Sequence, residues 1–288
     1  MSKAADQLRE RNPRFPSATE AVFLVVALFA TEYVVAAALR DLRSLSGIQA
    51  RDINGVVTVL GNGILFSALL HYKRMSYASL FHPSSNSVGA TIGTVCVPLL
   101  LMIPAITLAM SALVSVIEWL FPVPRWQQAM FERMMSNELA ALVGVCVLAP
   151  FLEEMLFRGI ILRSFLQQYG RRRAFLYSAA LFGLAHLNIY QFTVGFMGGI
   201  FLAWLYERTR SLWPCILAHA AYNSLITWGW YADPSPEQDV WQAPLAVWGL
   251  SFLSAFAGFS LLRRFLGVRG PSARRQTLER SPGPPLRK

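Results

Sequence analysis

Eight long apolar runs dominate this 288-residue chain, and they constrain its fold more than any other feature. They fall near residues 19–39, 54–71, 88–118, 138–162, 173–187, 191–207, 212–231 and 243–266. A helix needs about 20 mostly apolar residues to cross the hydrocarbon of a bilayer, and only helices or closed barrels can satisfy their backbone groups there. These runs are too long for barrel strands, so the expected fold class is all-α: a polytopic integral membrane protein of about eight transmembrane helices. The fifth run is short for a span and ends at Asn188, so it is expected to cross only partly. Charged residues make up only 15% of the chain, against about 25% in a soluble domain, which argues against both a water-soluble enzyme and a disordered chain.

The net charge of +10 suggests nucleic acid at first sight, but basic residues in a membrane protein usually mark its cytoplasmic loops. With eight spans, twenty lysines and arginines lie on the side of the two termini, and only Arg40, Arg43, Arg51, Arg125 and Arg133 on the other. The basic side includes Lys73, Arg74, Arg163, Arg171 to Arg173, Arg208 and Arg210, while Asp233, Glu237 and Asp239 fall opposite. This split predicts an inner (plasma) membrane protein with both termini cytoplasmic and no nucleic-acid partner. Four parts are expected: a cytoplasmic leader over 1–18, N-terminal transmembrane helices over 19–137, a functional transmembrane core over 138–266, and a disordered basic tail over 267–288 that can touch anionic lipid. The leader is too mixed, and the run after it too extended, for a cleaved signal peptide. Cys96, Cys146 and Cys215 all lie in apolar runs without CxxC spacing, which suits packing rather than disulfides or zinc. The absence of an internal repeat counts against a transporter.

An ionisable side chain inside a membrane segment costs about 2.5–3.5 kcal/mol on insertion scales, so each one points to function. The fourth run contains Glu153, Glu154 and Arg158 in an otherwise apolar stretch. Glu154 and Arg158 are four apart and can pair on one helix face, whereas Glu153 projects about 100° away. One carboxylate can therefore be neutralised while the other stays available for chemistry. Pro150 can kink the helix just before the pair. His186 ends the fifth run, and His219 and Asn223, four apart, share a face of the seventh. A lone histidine in an apolar helix is more often a hydrogen-bonded packing residue, but two of them with a double glutamate are harder to explain by packing. Glu32 lies mid-span in the first run and Glu118 ends the third near an interface; neither receives a role. Gly195 and Gly199 form a GxxxG that reads as close helix packing, and Trp228, Trp230, Tyr231 and Trp241 as an interfacial belt.

A glutamate beside a histidine in a low-dielectric cavity can activate water, because the imidazole can share the proton. A second histidine with an amide four residues on supplies donors for a developing oxyanion. Together these suffice for peptide-bond hydrolysis, and no serine or cysteine sits in a comparable setting for covalent catalysis. The same residues leave a metal open: Glu153, His186 and His219 could bind a divalent ion such as zinc, although no HExxH occurs. The expectation is a glutamate-activated water with no required cofactor, and a metal-activated water is the alternative.

The set EExxxR at Glu153 to Arg158, FxxxH at Phe182 to His186 and HxxxN at His219 to Asn223 resembles the CPBP intramembrane protease family. That family includes the CAAX prenyl endopeptidases of the Rce type and bacterial relatives often labelled Abi. The approach Arg210-Ser211-Leu212-Trp213-Pro214 is similar too, and the resemblance covers roughly residues 140 to 230. It implies Glu153 as general base with His186 beside it, Glu154 and Arg158 as a supporting pair, and His219 with Asn223 as the oxyanion site. Phe182 would pack within the site, and Phe157 and Phe182 are the expected substrate contacts. The implied function is an intramembrane endopeptidase acting on a membrane-anchored protein or peptide. The rival is a non-catalytic immunity or scaffold protein whose polar cavity binds a partner, and a proton relay stands third.

Overall fold

In the computed structural model, residues 14–46, 50–134, 139–232 and 240–266 are described. Among them the regular structure is helical throughout. The helices are α1 Ala18–Ser46, α2 Ala50–Lys73, the short α3 Tyr77–Phe81, α4 Val88–Leu120 and α5 Arg125–Met134. Then come α6 Leu139–Gln168, α7 Arg171–Leu184, α8 Ile189–Thr209, α9 Trp213–Ala232 and α10 Leu245–Leu266. The expected tail and the acidic residues between α9 and α10 lie outside the described residues.

Six of these helices are long and apolar enough to cross a membrane: α1, α2, α4, α6, α8 and α10. This is a multi-pass, all-α membrane protein, but the expected eight long apolar spans become six. The fifth run forms α7, which at 14 residues reaches about 21 Å and falls short of the roughly 30 Å hydrocarbon. The seventh forms α9, which has 20 residues but interrupts its apolar run with His219 and Asn223. Large apolar side chains on the outer helices are exposed, as lipid-facing residues must be: Phe23 of α1 is 66% exposed and Phe256 of α10 is 73% exposed.

α1 and α2 pair as one hairpin, α7 and α8 as another, and α10 lies along α4. α9 packs against α4 and against the N-terminal half of α6, which brings the polar residues of both runs together. Capping follows the local sequence. Ser87 Oγ accepts from the Ala90 amide at 3.1 Å to start α4, and Asn188 Oδ1 accepts from the Gln191 amide at 2.8 Å to start α8. The GxxxG reading holds geometrically. A Cβ on Gly199 would stand 3.0 Å from the Ala179 backbone, and one on Gly195 would stand 3.1 Å from Gly183, so α7 and α8 touch backbone to backbone. The α7–α8 hairpin is pinned at its far end by Arg171 Nη2 and Glu207 Oε2, 2.9 Å apart.

Candidate active site

The site is built on an irregular helix. α6 has a π-helical stretch at Gly144–Leu148, an α-helical segment Ala149–Glu154 and a second π-helical stretch at Met155–Leu162. π-Bulges concentrate at functional sites, and here they flank the two glutamates. The first stretch has a cause in the sequence. Within it the Ala149 amide bonds back to the Gly144 carbonyl, five residues away. The next donor in that pattern, to the Val145 carbonyl, would be the amide of residue 150, and Pro150 has none. Val145 would be left with an orphaned carbonyl inside the membrane. Asn223 of α9 satisfies it, with Nδ2 donating to Val145 O at 2.9 Å. A proline in one helix thus explains why an asparagine in another points where it does.

Glu154 is fully buried and its Oε1 is shared. Arg158 Nη1 donates to it at 2.7 Å and His219 Nδ1 lies 3.0 Å away. The pair four apart on one face therefore forms, with His219 as a third member. The Arg158 guanidinium carbon stands 4.4 Å from the centre of the Phe182 ring, which satisfies part of the buried cation by its π face. Phe182 also meets His186 at 5.2 Å and His219 at 5.8 Å between ring centres, so it sets the spacing of both imidazoles.

Glu153 points elsewhere, about a third exposed, into a cavity of about 400 Å³. His186, His219, Asn223 and Phe182 line the same cavity. The imidazole nearest Glu153 is that of His219, whose Nε2 is 3.8 Å from Glu153 Oε2, too long for a hydrogen bond. His186, expected beside Glu153, instead turns Nδ1 to the Phe182 carbonyl at 3.0 Å. A carbonyl only accepts, so Nδ1 carries the proton, and in the neutral ring Nε2 is the acceptor. His186 sits in a tight turn before Leu187, whose φ of 58° is strained for a bulky residue. Asn188 Nδ2 holds that turn by donating to the His186 carbonyl at 2.9 Å.

Phe157 departs from expectation. It is buried against Phe182, with ring centres 4.9 Å apart, and is not among the residues that line the cavity. Sequence reasoning missed one neighbour and left two others without a role. Tyr222 lines the cavity and lay within the quoted HxxxN stretch; Glu118 reaches the cavity's edge from the end of α4. Glu32 of α1 accepts from Asn62 Nδ2 at 2.9 Å and lies near enough to Glu153 for the two carboxylates to interact. No spacing rule connects residues 32, 62 and 153. Among the described residues, no three His, Cys, Asp or Glu side chains are grouped to hold a metal ion.

Residues 135–225 match the family model described as type II CAAX prenyl endopeptidase Rce1-like. Over this segment, about a third of its length, the chain is similar to that family. The match spans every motif residue of the site, from Glu153 to Asn223. The chain is also 29% identical over 99 residues to the candidate membrane peptidase YdiL of Bacillus subtilis (strain 168). That similarity takes in 34% of this chain and 40% of YdiL, so the chain spans less than half the length of this relative. No solved structure matches the chain. The matched segment takes in the irregular α6, α7, α8 and α9 as far as residue 225, while α1 to α5 and α10 lie outside it.

Proposed function

We propose that the protein is an intramembrane endopeptidase that hydrolyses a peptide bond in a membrane-anchored protein or peptide. It resides in the inner (plasma) membrane with both termini cytoplasmic, the orientation the charge distribution supports. One observation carries the activity. Of two adjacent glutamates, Glu154 is buried and shared by Arg158 and His219, while Glu153 faces a cavity with His186, His219 and Asn223 on its walls. A purely structural ion pair needs only one carboxylate. The second, placed in a cavity with acceptor and donor groups around it, suits water activation. The Rce1-like match over 135–225 and the likeness to YdiL support the same reading.

In this reading Glu153 takes a proton from a water as the water oxygen bonds to the scissile carbonyl carbon, and His186 Nε2 accepts the water's other hydrogen bond. The carbonyl oxygen becomes an oxyanion. Asn223 Nδ2 has two hydrogens, one given to Val145, and the second meets the oxyanion. His219 helps in its doubly protonated form, with Nδ1–H on Glu154 and Nε2–H on the cavity side. As the tetrahedral species collapses, the C–N bond breaks and the proton held by Glu153 passes to the leaving nitrogen. Products are a carboxylic acid and an amine, and the acid then gives its proton to the amine or to solvent.

The test compares protein termini, by mass spectrometry, in host membranes with wild-type protein and with Glu153→Gln. Precursors that accumulate uncleaved with the variant would establish the activity and identify the substrate. Unchanged termini, with the variant still rescuing a deletion phenotype, would favour the immunity or scaffold reading.

A further inference from the structure

The cavity occupies only one end of the molecule. Its deepest walls are Ile103 in the middle of α4, Leu202 of α8 and Ala218 of α9. From there its lining runs to Glu118 at the end of α4, Phe131 of α5 and Trp230 at the end of α9. Glu118 is exposed and Trp230 is 42% exposed, so the cavity opens at this end. The exposed Trp119, Trp126, Trp228 and Trp241 lie at the same helix ends, as an interfacial belt would.

At the opposite end a hollow beside Ser67, Arg74 and Tyr77 shares no lining residue with the Glu153 cavity, and α6 beyond that cavity is covered. Beyond Glu154 every residue from Met155 to Leu162 is buried. The short α3 seals this part: a Cβ on Gly159 would stand 2.6 Å from Leu80, Phe81 stacks on Trp213 at 5.3 Å, and the Leu212 amide donates to the Phe81 carbonyl at 2.8 Å. Arg163 Nη1 ties the end of α6 to the Ser79 carbonyl at 2.9 Å. The chain before α1 covers it further: Gln168 Nε2 donates to the Pro16 carbonyl at 2.8 Å and the Ala18 amide donates to Tyr169 Oη at 3.0 Å. This covered end carries Lys73, Arg74, Arg163, Arg171 to Arg173, Arg208, Arg210, Arg263 and Arg264.

We infer that the cavity opens on the extracytoplasmic side of the membrane, and that the substrate is a membrane-anchored polypeptide cut at its extracytoplasmic boundary. The basic, covered end faces the cytoplasm, so a cytoplasmic tail has no route to Glu153. The walls between Glu153 and the mouth are mostly apolar, with Ile106, Met110, Val114 and Ile226 among them, and suit an apolar stretch leaving the bilayer. The identity of the occupant as a substrate rests on the peptidase reading; the direction of the opening does not.

Cysteine accessibility tests the opening without needing activity. Cys96 and Cys146 are replaced by serine, Cys215 being buried, and single cysteines are placed as Glu118→Cys, Trp230→Cys, Arg74→Cys and Arg210→Cys. Spheroplasts of a bacterial expression host are treated with a membrane-impermeant maleimide before and after permeabilisation. The two mouth variants should label fully in intact spheroplasts, and the Arg74 and Arg210 variants only after permeabilisation. Two mouth positions are used so that one misfolded variant does not decide the outcome. Labelling of either arginine position in intact spheroplasts overturns the inference, as does protection of both mouth positions until permeabilisation. Protein termini that are the same with and without the wild-type protein would remove the peptidase reading while leaving this labelling pattern intact.

Discussion

Two long helices of this protein carry proline, and they respond differently. α4 contains Pro98 and Pro104, stays α-helical over 33 residues, and presents much of its length to lipid and to α10. Gly258 of α10 allows this contact, since a Cβ there would stand 2.5 Å from the Pro98 carbonyl. α6 contains one proline and has π-helical stretches on both sides of its glutamates. Proline alone therefore does not make the irregular helix. In α6 the displaced carbonyl of Val145 meets a partner from another motif, Asn223, and the distortion becomes a joint between two helices. In α4 the prolines lie in a packing helix whose polar groups contribute little to the site.

The largest expected effect comes from the charges that α6 has and the middle of α4 lacks. Glu153→Gln should cut peptide hydrolysis by about 10²–10⁴-fold, the usual range for a general acid or base, while Glu118→Gln at the cavity mouth should change it far less. Both are read from cleavage rates of reconstituted protein with matched thermal stability. Arg158→Met removes one partner of a buried pair. It should destabilise the protein by about 3–5 kcal/mol, because Glu154 keeps its charge without a full partner, and thermal unfolding in detergent measures this. Glu154→Gln combined with Arg158→Met should recover much of that loss.

Close packing gives the next effect. Gly199→Leu should cost about 1–3 kcal/mol by forcing α8 off Ala179, and should also press on Phe182, whose ring stands 3.5 Å from the new Cβ. Gly93→Ala in α4 has nothing within 4 Å of the new Cβ and should be near neutral. Smallest is the proline coupling itself. Asn223→Ala leaves the Val145 carbonyl unpaired, at a cost of about 1–3 kcal/mol. Pro150→Ala restores an amide that can reach that carbonyl, so Asn223→Ala should cost less in that background than alone, a coupling of about 0.5–3 kcal/mol. Strict additivity in a thermal-unfolding cycle would break the link drawn between the two helices.

Much of this was legible in the sequence, and the reasons are physical. Apolar length announced the helices, because hydrocarbon thickness is a simple ruler. It overcounted the long apolar spans where α7 is too short and where α9 interrupts its apolar run with His219 and Asn223. The Glu154–Arg158 pair was visible because i,i+4 spacing puts two side chains on one face. The third member, His219 on Glu154, was not visible, since no local rule relates residues 154 and 219. The π-helical stretches leave no mark of their own in residue type. Only Pro150 hinted at one, and its consequence for Asn223 needed the fold. Phe157 read as a site residue because it lies within the EExxxR run, yet it is buried against Phe182. Glu32 looked isolated in α1 because its partner, Asn62, reaches it from another helix.

The central claim is that Glu153, and not its neighbour, activates the attacking water. Its most direct test is hydrolysis in H2¹⁸O by purified protein in proteoliposomes, using a substrate found from the termini comparison and following ¹⁸O in the new carboxylate. The account expects the wild-type protein to incorporate one ¹⁸O per cleavage, and Glu153→Gln, folded to the same thermal stability, to incorporate essentially none. Incorporation by Glu153→Gln at the wild-type rate would contradict it.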